Sequence, residues 1–215
     1  MKQYPHIEYW NKGILGETVW GFEKLDGSNI RCEWTKKRGW YKFGTRNTMI
    51  DEKHEQFGSA ITLFQEKYGE NLAKVFTDSK AYRNIRNFVV FSEYYGEKSF
   101  AGYHEPGDKM NITLFDISLF QKGWVPPKQF IDDFGHLEIP RLLYHGNLNK
   151  EFANNVKIGK YDVQEGIMAK GTRKTKGNDI VWMVKLKTQI WLDKVKGKFG
   201  DEAIRKELNG DLSLI

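Results

Sequence analysis

The sequence predicts an α+β fold of antiparallel sheets with helices flanking them. Three observations lead there. Stretches of β-formers arrive in runs across residues 18–50, as "TVWGFEKL", "NIRCEW" and "GWYKFGT", with Gly- and Lys-rich turns between them. Helical patterning comes in separate blocks instead of following every strand, which argues against a doubly wound fold. The 215 residues are 40% hydrophobic, enough to bury a sizeable core in one domain with a short appendage.

The elements follow in order. After the strands of residues 18–50, residues 51–86 read as helical, because "DEKHEQFGSAITLFQEKY" spaces its apolar residues at helical intervals and Asp51 is placed to cap them. "FVVFSEYY" (88–95) and "MNITLFDI" (110–117) read as buried strands. Pro126 and Pro127 break the chain ahead of a short helix, "KQFIDDF". "EGIMAKG" and "DIVWMVKLKT" are strand-like again, joined by the basic turn "TRKTKGN". "DEAIRKELNG" reads as an amphipathic helix from Asp201 that stops at Gly210. The expected layout is a core domain over residues 1–190 and a short helical tail over 191–215.

Bulk properties exclude some classes. Cys32 is the only cysteine, so an internal disulfide is impossible and a reducing compartment such as the cytoplasm is expected; the thiol itself reads as a small core residue. No apolar run is long enough to span a bilayer or to open the chain as a signal peptide, so no membrane role is expected. The net charge of +6 favours polyanionic partners, because neutralising phosphates releases counterions. His6, His54, His104, His136 and His145 lack metal-ligand spacing, and no Walker-type phosphate loop is present.

The stretch "FEKLDGSNIR" (22–31) places Lys24 two residues before Asp26-Gly27. Alone, it is explained by a solvated hairpin, since Asp-Gly is a common turn pair. It stands instead at the head of an ordered set: "EKLDGSN" (23–29), "FGTRN" (43–47), "FSEYYG" (91–96), "ITLFDI" (112–117), "EGIMAKG" (165–171) and "WMVKLKT" (182–188). The set resembles the motifs of the covalent nucleotidyltransferase superfamily, the ATP-dependent polynucleotide ligases and RNA-capping enzymes. The match runs from about Phe22 to Thr188. Ser28-Asn29 and Phe115-Asp116 look most like the RNA ligases of phages and RNA-editing complexes. Asp26 is instead the acid of DNA ligases, where many of those RNA ligases carry histidine.

That resemblance implies a chemistry for each residue. Lys24 would be the nucleophile that attacks the α-phosphorus of ATP. Since an ordinary lysine is protonated at neutral pH, it needs positive neighbours to lower its pKa. Lys185 and Lys187, two apart on a strand, face one side and would supply that field at the α-phosphate. Glu165 resembles the ligand of a divalent cation, Mg²⁺ or Mn²⁺, which takes hard oxygens. Lys170 resembles a phosphate contact. Glu93 would accept from the ribose hydroxyls, and Arg46 would grip ribose or phosphate with its fork. Phe115 would stack on adenine against aliphatic residues such as Ile167. Glu23 would accept the adenine amino group, Asn29 would touch the phosphate or ribose side, and Gly27 would let the backbone approach closely. The basic residues Arg173, Lys174 and Lys176, with Lys194, Lys196 and Lys198 further on, are candidate contacts to nucleic-acid phosphates.

The expected function is therefore an ATP-dependent RNA ligase acting on RNA or nicked duplex, cytoplasmic and possibly phage-encoded. A minimal DNA ligase, a capping guanylyltransferase preferring GTP, and a non-catalytic nucleic-acid-binding module on a ligase domain are the alternatives. The DNA ligases and capping enzymes that these motifs resemble normally carry an OB-fold barrel after the last motif. Only 27 residues follow Thr188, too few for such a barrel, so a bare core is expected, either clamped onto its substrate by a partner protein or joining weakly by itself.

Overall fold

The computed structural model describes residues 1–97, 106–176 and 179–208. In chain order the elements are β1 (Glu8–Tyr9), β2 (Thr18–Lys24), β3 (Ser28–Thr35), β4 (Gly39–Thr45), β5 (Met49–Ile50), α1 (Gly58–Phe64), α2 (Glu70–Asp78), β6 (Phe88–Tyr95) and β7 (Asn111–Leu119). They continue as β8 (Gly123–Trp124), α3 (Pro127–Phe134), β9 (Leu142–Asn147), α4 (Lys150–Lys157), β10 (Gly166–Lys174), β11 (Asp179–Lys187), α5 (Gln189–Phe199) and α6 (Asp201–Glu207). The chain divides into two compact units. One comprises Met1–Tyr4, Gly27–Val125 and Gln129–Ile139; the other comprises Pro5–Asp26, Pro126–Lys128 and Pro140–Ile215.

The first unit holds an antiparallel sheet of order β5-β4-β3-β6-β7-β8. Strand alternation sends Ile30, Cys32 and Trp34 of β3, and Phe88, Val90 and Tyr94 of β6, into one core. Ala60, Ile61, Phe64, Leu72 and Phe76 from α1 and α2 close it. Phe76 and Phe88 stack at 3.8 Å between ring centroids. Each such aromatic, fully buried, contributes roughly 2–3 kcal/mol. Cys32 lies in this core as expected, where burial raises its thiol pKa well above the ordinary value and keeps it protonated.

The helix expected from Asp51 starts later. Residues 51–57 form turns, and the Asp51 carboxylate accepts from the Lys53 backbone N–H at 2.9 Å. A short polar side chain that satisfies its own backbone locally competes with helix formation. Helical structure begins at Gly58, and a π turn over Gln65–Gly69 joins α1 to α2. Pro127 occupies the first turn of α3, where its missing N–H costs nothing.

The second unit holds a sheet of order β1-β11-β10-β2-β9, antiparallel except for the β1–β11 pair. One face packs Val19, Ile167, Ala169, Val184 and Leu186 against Phe152, Ala153 and Val156 of α4. Asn149 caps α4 by accepting from the Phe152 N–H at 2.7 Å. The expected basic turn is shorter than its composition suggests. Arg173 and Lys174 are still paired in β10, opposite Ile180 and Asp179 of β11. Gly177 and Asn178 of that turn, His104, and the expected helix stop at Gly210 lie outside the described residues. Helices α5 and α6 bury Trp191, Leu192 and Ile204. Among the described residues, no helix is long and apolar enough to cross a membrane.

Candidate active site

The strand register builds the site. Lys24, the last residue of β2, lies opposite Gly166 of β10, and Gly166 lies opposite Lys187 of β11. Strand alternation therefore puts Phe22, Lys24, Met168, Lys170, Lys185 and Lys187 on the face opposite the apolar core of that unit. Gly166 has φ 156°, and a Cβ there would run into the Leu186 carbonyl, so only glycine lets β10 and β11 approach here. That close pairing delivers Glu165, the residue before it, to the ends of β2 and β11.

An alternating row of charges results. Glu165 Oε1 accepts from Lys24 Nζ at 2.8 Å and also from Lys187 Nζ. Lys187 Nζ reaches Glu207 Oε1 of α6 at 2.9 Å, and the same oxygen takes Lys185 Nζ at 3.1 Å. Lys187 and Glu165 are almost fully buried, whereas the Lys24 side chain retains 23% of its exposure. The accessible amine is thus the one at the end of the row.

The electrostatics follow from burial and neighbours. Desolvation pushes the Lys185 pKa down, Glu207 opposes that, and the positive charges of Lys187 and Lys24 add to it. For Glu207, burial favours the neutral acid, but Lys187 and Lys185 outweigh it and hold the carboxyl at about 2. Asp26 is raised by burial and by the Glu165 charge, against a hydrogen bond from Trp191 and the charges of Lys24 and Lys187. Trp191, near the start of α5, donates from Nε1 to Asp26 Oδ2 at 3.4 Å and sets its ring 3.5 Å from Lys187 Nζ. The Thr188 hydroxyl fixes that start: it accepts from the Trp191 N–H and donates to the Gln164 carbonyl at 2.7 Å.

Two further expected residues lie in the same unit. Lys170 is 3% exposed, with its ammonium 5.0 Å from the Phe22 ring centroid. The Glu23 carboxylate is gripped by Arg141, from Nε at 2.7 Å and Nη2 at 3.1 Å. Arg141 also donates to the Asp162 carbonyl. Arg173, Lys174 and Lys176 are exposed around the far end of β10, roughly 25 Å along the strand from Gly166.

The remaining expected residues belong to the first unit. Asn29 of β3 pairs with Glu93 of β6, which pairs in turn with Thr113 of β7. Phe115 sits at a register shift in β7 and meets the Tyr4 ring edge-on at 5.1 Å. The Tyr4 hydroxyl donates to Asp116 Oδ2 at 2.6 Å. Burial raises the Tyr4 pKa well above its ordinary value; Asp116 and Glu93 add to the rise and Arg46 opposes it. Glu93, Arg46, Asp116 and Phe115 thus gather around one tyrosine. Gly27 makes a close approach as expected, though to protein: a Cβ there would strike the Tyr94 carbonyl of β6. Because β2 and β3 belong to different sheets, "KLDGSN" is a sheet-to-sheet crossover and not a hairpin.

Sequence reasoning did not single out Glu207, Trp191, Arg141, Tyr4 or Asp116 as site residues. Only Asp116 had a local signal, an acid inside an apolar strand. The others reach their partners from distant segments that carry no motif.

The fold is that of an RNA-ligase nucleotidyltransferase domain, and the lysine–carboxylate row lies on its five-stranded sheet. The family model described as RNA ligase matches residues 17–187, and the chain belongs to that family. Solved structures agree in fold. A lysine-to-alanine mutant of the Naegleria gruberi RNA ligase with ATP and Mn is 17% identical, at TM-score 0.64 over 90% of this chain and 58% of that one. An arginine-to-alanine mutant of the same ligase with ATP and Mn is 16% identical, at TM-score 0.67 over 91% and 58%. An archaeal ATP-dependent RNA ligase is 15% identical, at TM-score 0.61 over 89% and 50%. The chain therefore spans between half and about three-fifths of the length of these relatives. Comparison with curated proteins yields no match.

Proposed function

We propose that this chain is an ATP-dependent RNA ligase that works through a covalent lysyl-AMP intermediate on Lys24. The observation carrying this reading is the convergence of Lys24, Glu165, Lys185 and Lys187 at one end of the sheet, with Lys24 the most exposed of the four. Family membership and the ATP and Mn named for the N. gruberi structures support it.

The residues divide the work. The Lys24 amine forms a P–N bond to the α-phosphorus of ATP while the bond to the bridging oxygen breaks, and pyrophosphate leaves. The attacking amine must be uncharged, so its proton passes to solvent first. Pairing with Glu165 favours the ammonium form, and the nearby charges of Lys185 and Lys187 favour the free amine. The same two lysines stabilise the charge that develops on the α-phosphoryl oxygens. AMP is then passed to a 5′-phosphate, and a 3′-hydroxyl displaces it to join the strands.

Glu165 suits a divalent cation. Its Oε2 is buried with no hydrogen-bond partner, and such a hard oxygen is what Mg²⁺ or Mn²⁺ takes, alongside phosphate and water. When bound, the cation would supply charge neutralisation of the triphosphate. We assign the base and ribose contacts to Phe115, Glu93, Arg46 and Asn29, and the strand's phosphates to Arg173, Lys174 and Lys176, on the family resemblance and on their exposure or charge.

Strand joining tests the reading. With ATP and Mg²⁺, wild-type protein is expected to seal 5′-phosphorylated, 3′-hydroxyl nicks, and Lys24→Ala to seal none. Joining with a ribose at the 3′ end but not with a deoxyribose supports RNA as substrate. The reverse pattern would favour a minimal DNA ligase, the reading to which Asp26 points. Binding of nicked duplex with no joining at all would contradict both.

A further inference from the structure

Glu207 has no counterpart among the motif residues, yet it occupies the centre of the positive site. Its Oε1 stands 3.1 Å from Lys185 Nζ and 2.9 Å from Lys187 Nζ. An anionic oxygen shared by two ammonium groups at hydrogen-bond distance is the arrangement a phosphate oxygen makes with a pair of lysines. Three ammonium groups, of Lys24, Lys185 and Lys187, face two carboxylates, of Glu165 and Glu207. A triphosphate needs the positive field that Glu207 cancels.

We propose that Glu207 is an intramolecular competitor for the phosphates of the nucleotide, which α6 must carry out of the site before Lys185 and Lys187 can engage ATP. This rests on the reading of Lys185 and Lys187 as phosphate-binding lysines. The local structure suits such a movement. Helix α6 has seven residues, too few to be stable without its packing. It inserts Ile204, with Leu208 buried just beyond it, while Glu202 and Lys206 are exposed. It begins at Gly200, whose φ of 79° and ψ of −178° lie in a region essentially reserved for glycine. Nothing stands within 4 Å of the position a Cβ would take there. Gly200 is thus a hinge between α5 and α6. The depressed pKa of Glu207 keeps the competing carboxylate charged throughout the neutral range.

The test is a calorimetric titration of wild type, Glu207→Gln and Glu202→Gln with α,β-methylene-ATP and Mg²⁺, beside lysyl-AMP formation from ATP. Glu202→Gln removes an equal charge from the exposed face of the same helix. The proposal expects Glu207→Gln to bind the analogue at least threefold more tightly and to half-saturate labelling at correspondingly lower ATP. Labelling at saturating ATP should not fall, and Glu202→Gln should match wild type. Unchanged or weaker binding by Glu207→Gln, with normal labelling of the wild type, would overturn the competitor role alone. Tighter binding by Glu207→Gln with no label in any protein would sink the ligase reading and leave the competitor standing. Analogue binding by none of the three, with no label formed, would overturn both. Glu207→Asp, which keeps the charge but retracts it by one methylene, covers a folding failure of the amide: tighter binding supports the proposal and unchanged binding overturns it.

Discussion

Lys187 is buried between two carboxylates, and neither could be removed without cost. Removing one member of a buried ion pair leaves an uncompensated charge. Glu207 makes this measurable through pH. Its folded-state pKa of about 2 lies below its ordinary 4.5, so its contribution to stability is complete above 4.5 and is lost as pH falls toward 2. That depression corresponds to about 3 kcal/mol. Denaturant unfolding of wild type and Glu207→Gln is therefore expected to differ by a few kcal/mol at neutral pH, with the gap closing between pH 4.5 and 2. A gap that stays constant across that range would contradict the ion-pair row. At this scale the sequence was informative wherever chemistry is local. Strand alternation alone puts Lys185 and Lys187 on one face, and the resemblance to the ligase motifs pointed to Lys24 and Glu165. It was silent on Glu207, Trp191 and Arg141, because a glutamate on an exposed-looking amphipathic helix reads as solvated until the fold brings it to two lysines.

Gly166 holds the central strand pair in place. Its positive φ, and the Leu186 carbonyl that a Cβ would strike, make glycine necessary where β10 pairs closely with β11 and Glu165 enters. Gly166→Ala is expected to destabilise the protein by about 3 kcal/mol or more, and to abolish adenylylation by moving Glu165 away from Lys24. Thermal unfolding and labelling together check this; a variant with unchanged melting temperature and full labelling would contradict it. The long strands β2, β3, β4, β6, β7, β10 and β11 were legible because β-formers cluster or alternate between turns. The helix start was misplaced because Asp51 spends its side chain on a local turn. β9 was not read: its "LLYHGN" lacks alternation and occupies a sheet edge, with Leu142 exposed. α4 did carry a signal, Asn149 as cap with Phe152 and Val156 four apart on the buried side.

Across the whole molecule, the division into two units was not legible. Each unit is assembled from segments far apart in sequence, and "KLDGSN" passes between the sheets with the composition of a simple turn. The extent of the resemblance, from about Phe22 to Thr188, was legible, and the family match over residues 17–187 agrees with it. The distribution of the charged groups is also plain at this scale. The lysine–carboxylate row belongs to the five-stranded unit, while Phe115, Glu93 and Arg46 lie around Tyr4 in the six-stranded one. The most direct test of the central claim is to incubate the protein with α-labelled ATP and a divalent cation, then map the label by peptide mass spectrometry. A single acid-labile AMP on Lys24, absent from Lys24→Ala and accompanied by released pyrophosphate, is the predicted result. Label on any other residue, or none while the nucleotide binds, would contradict it.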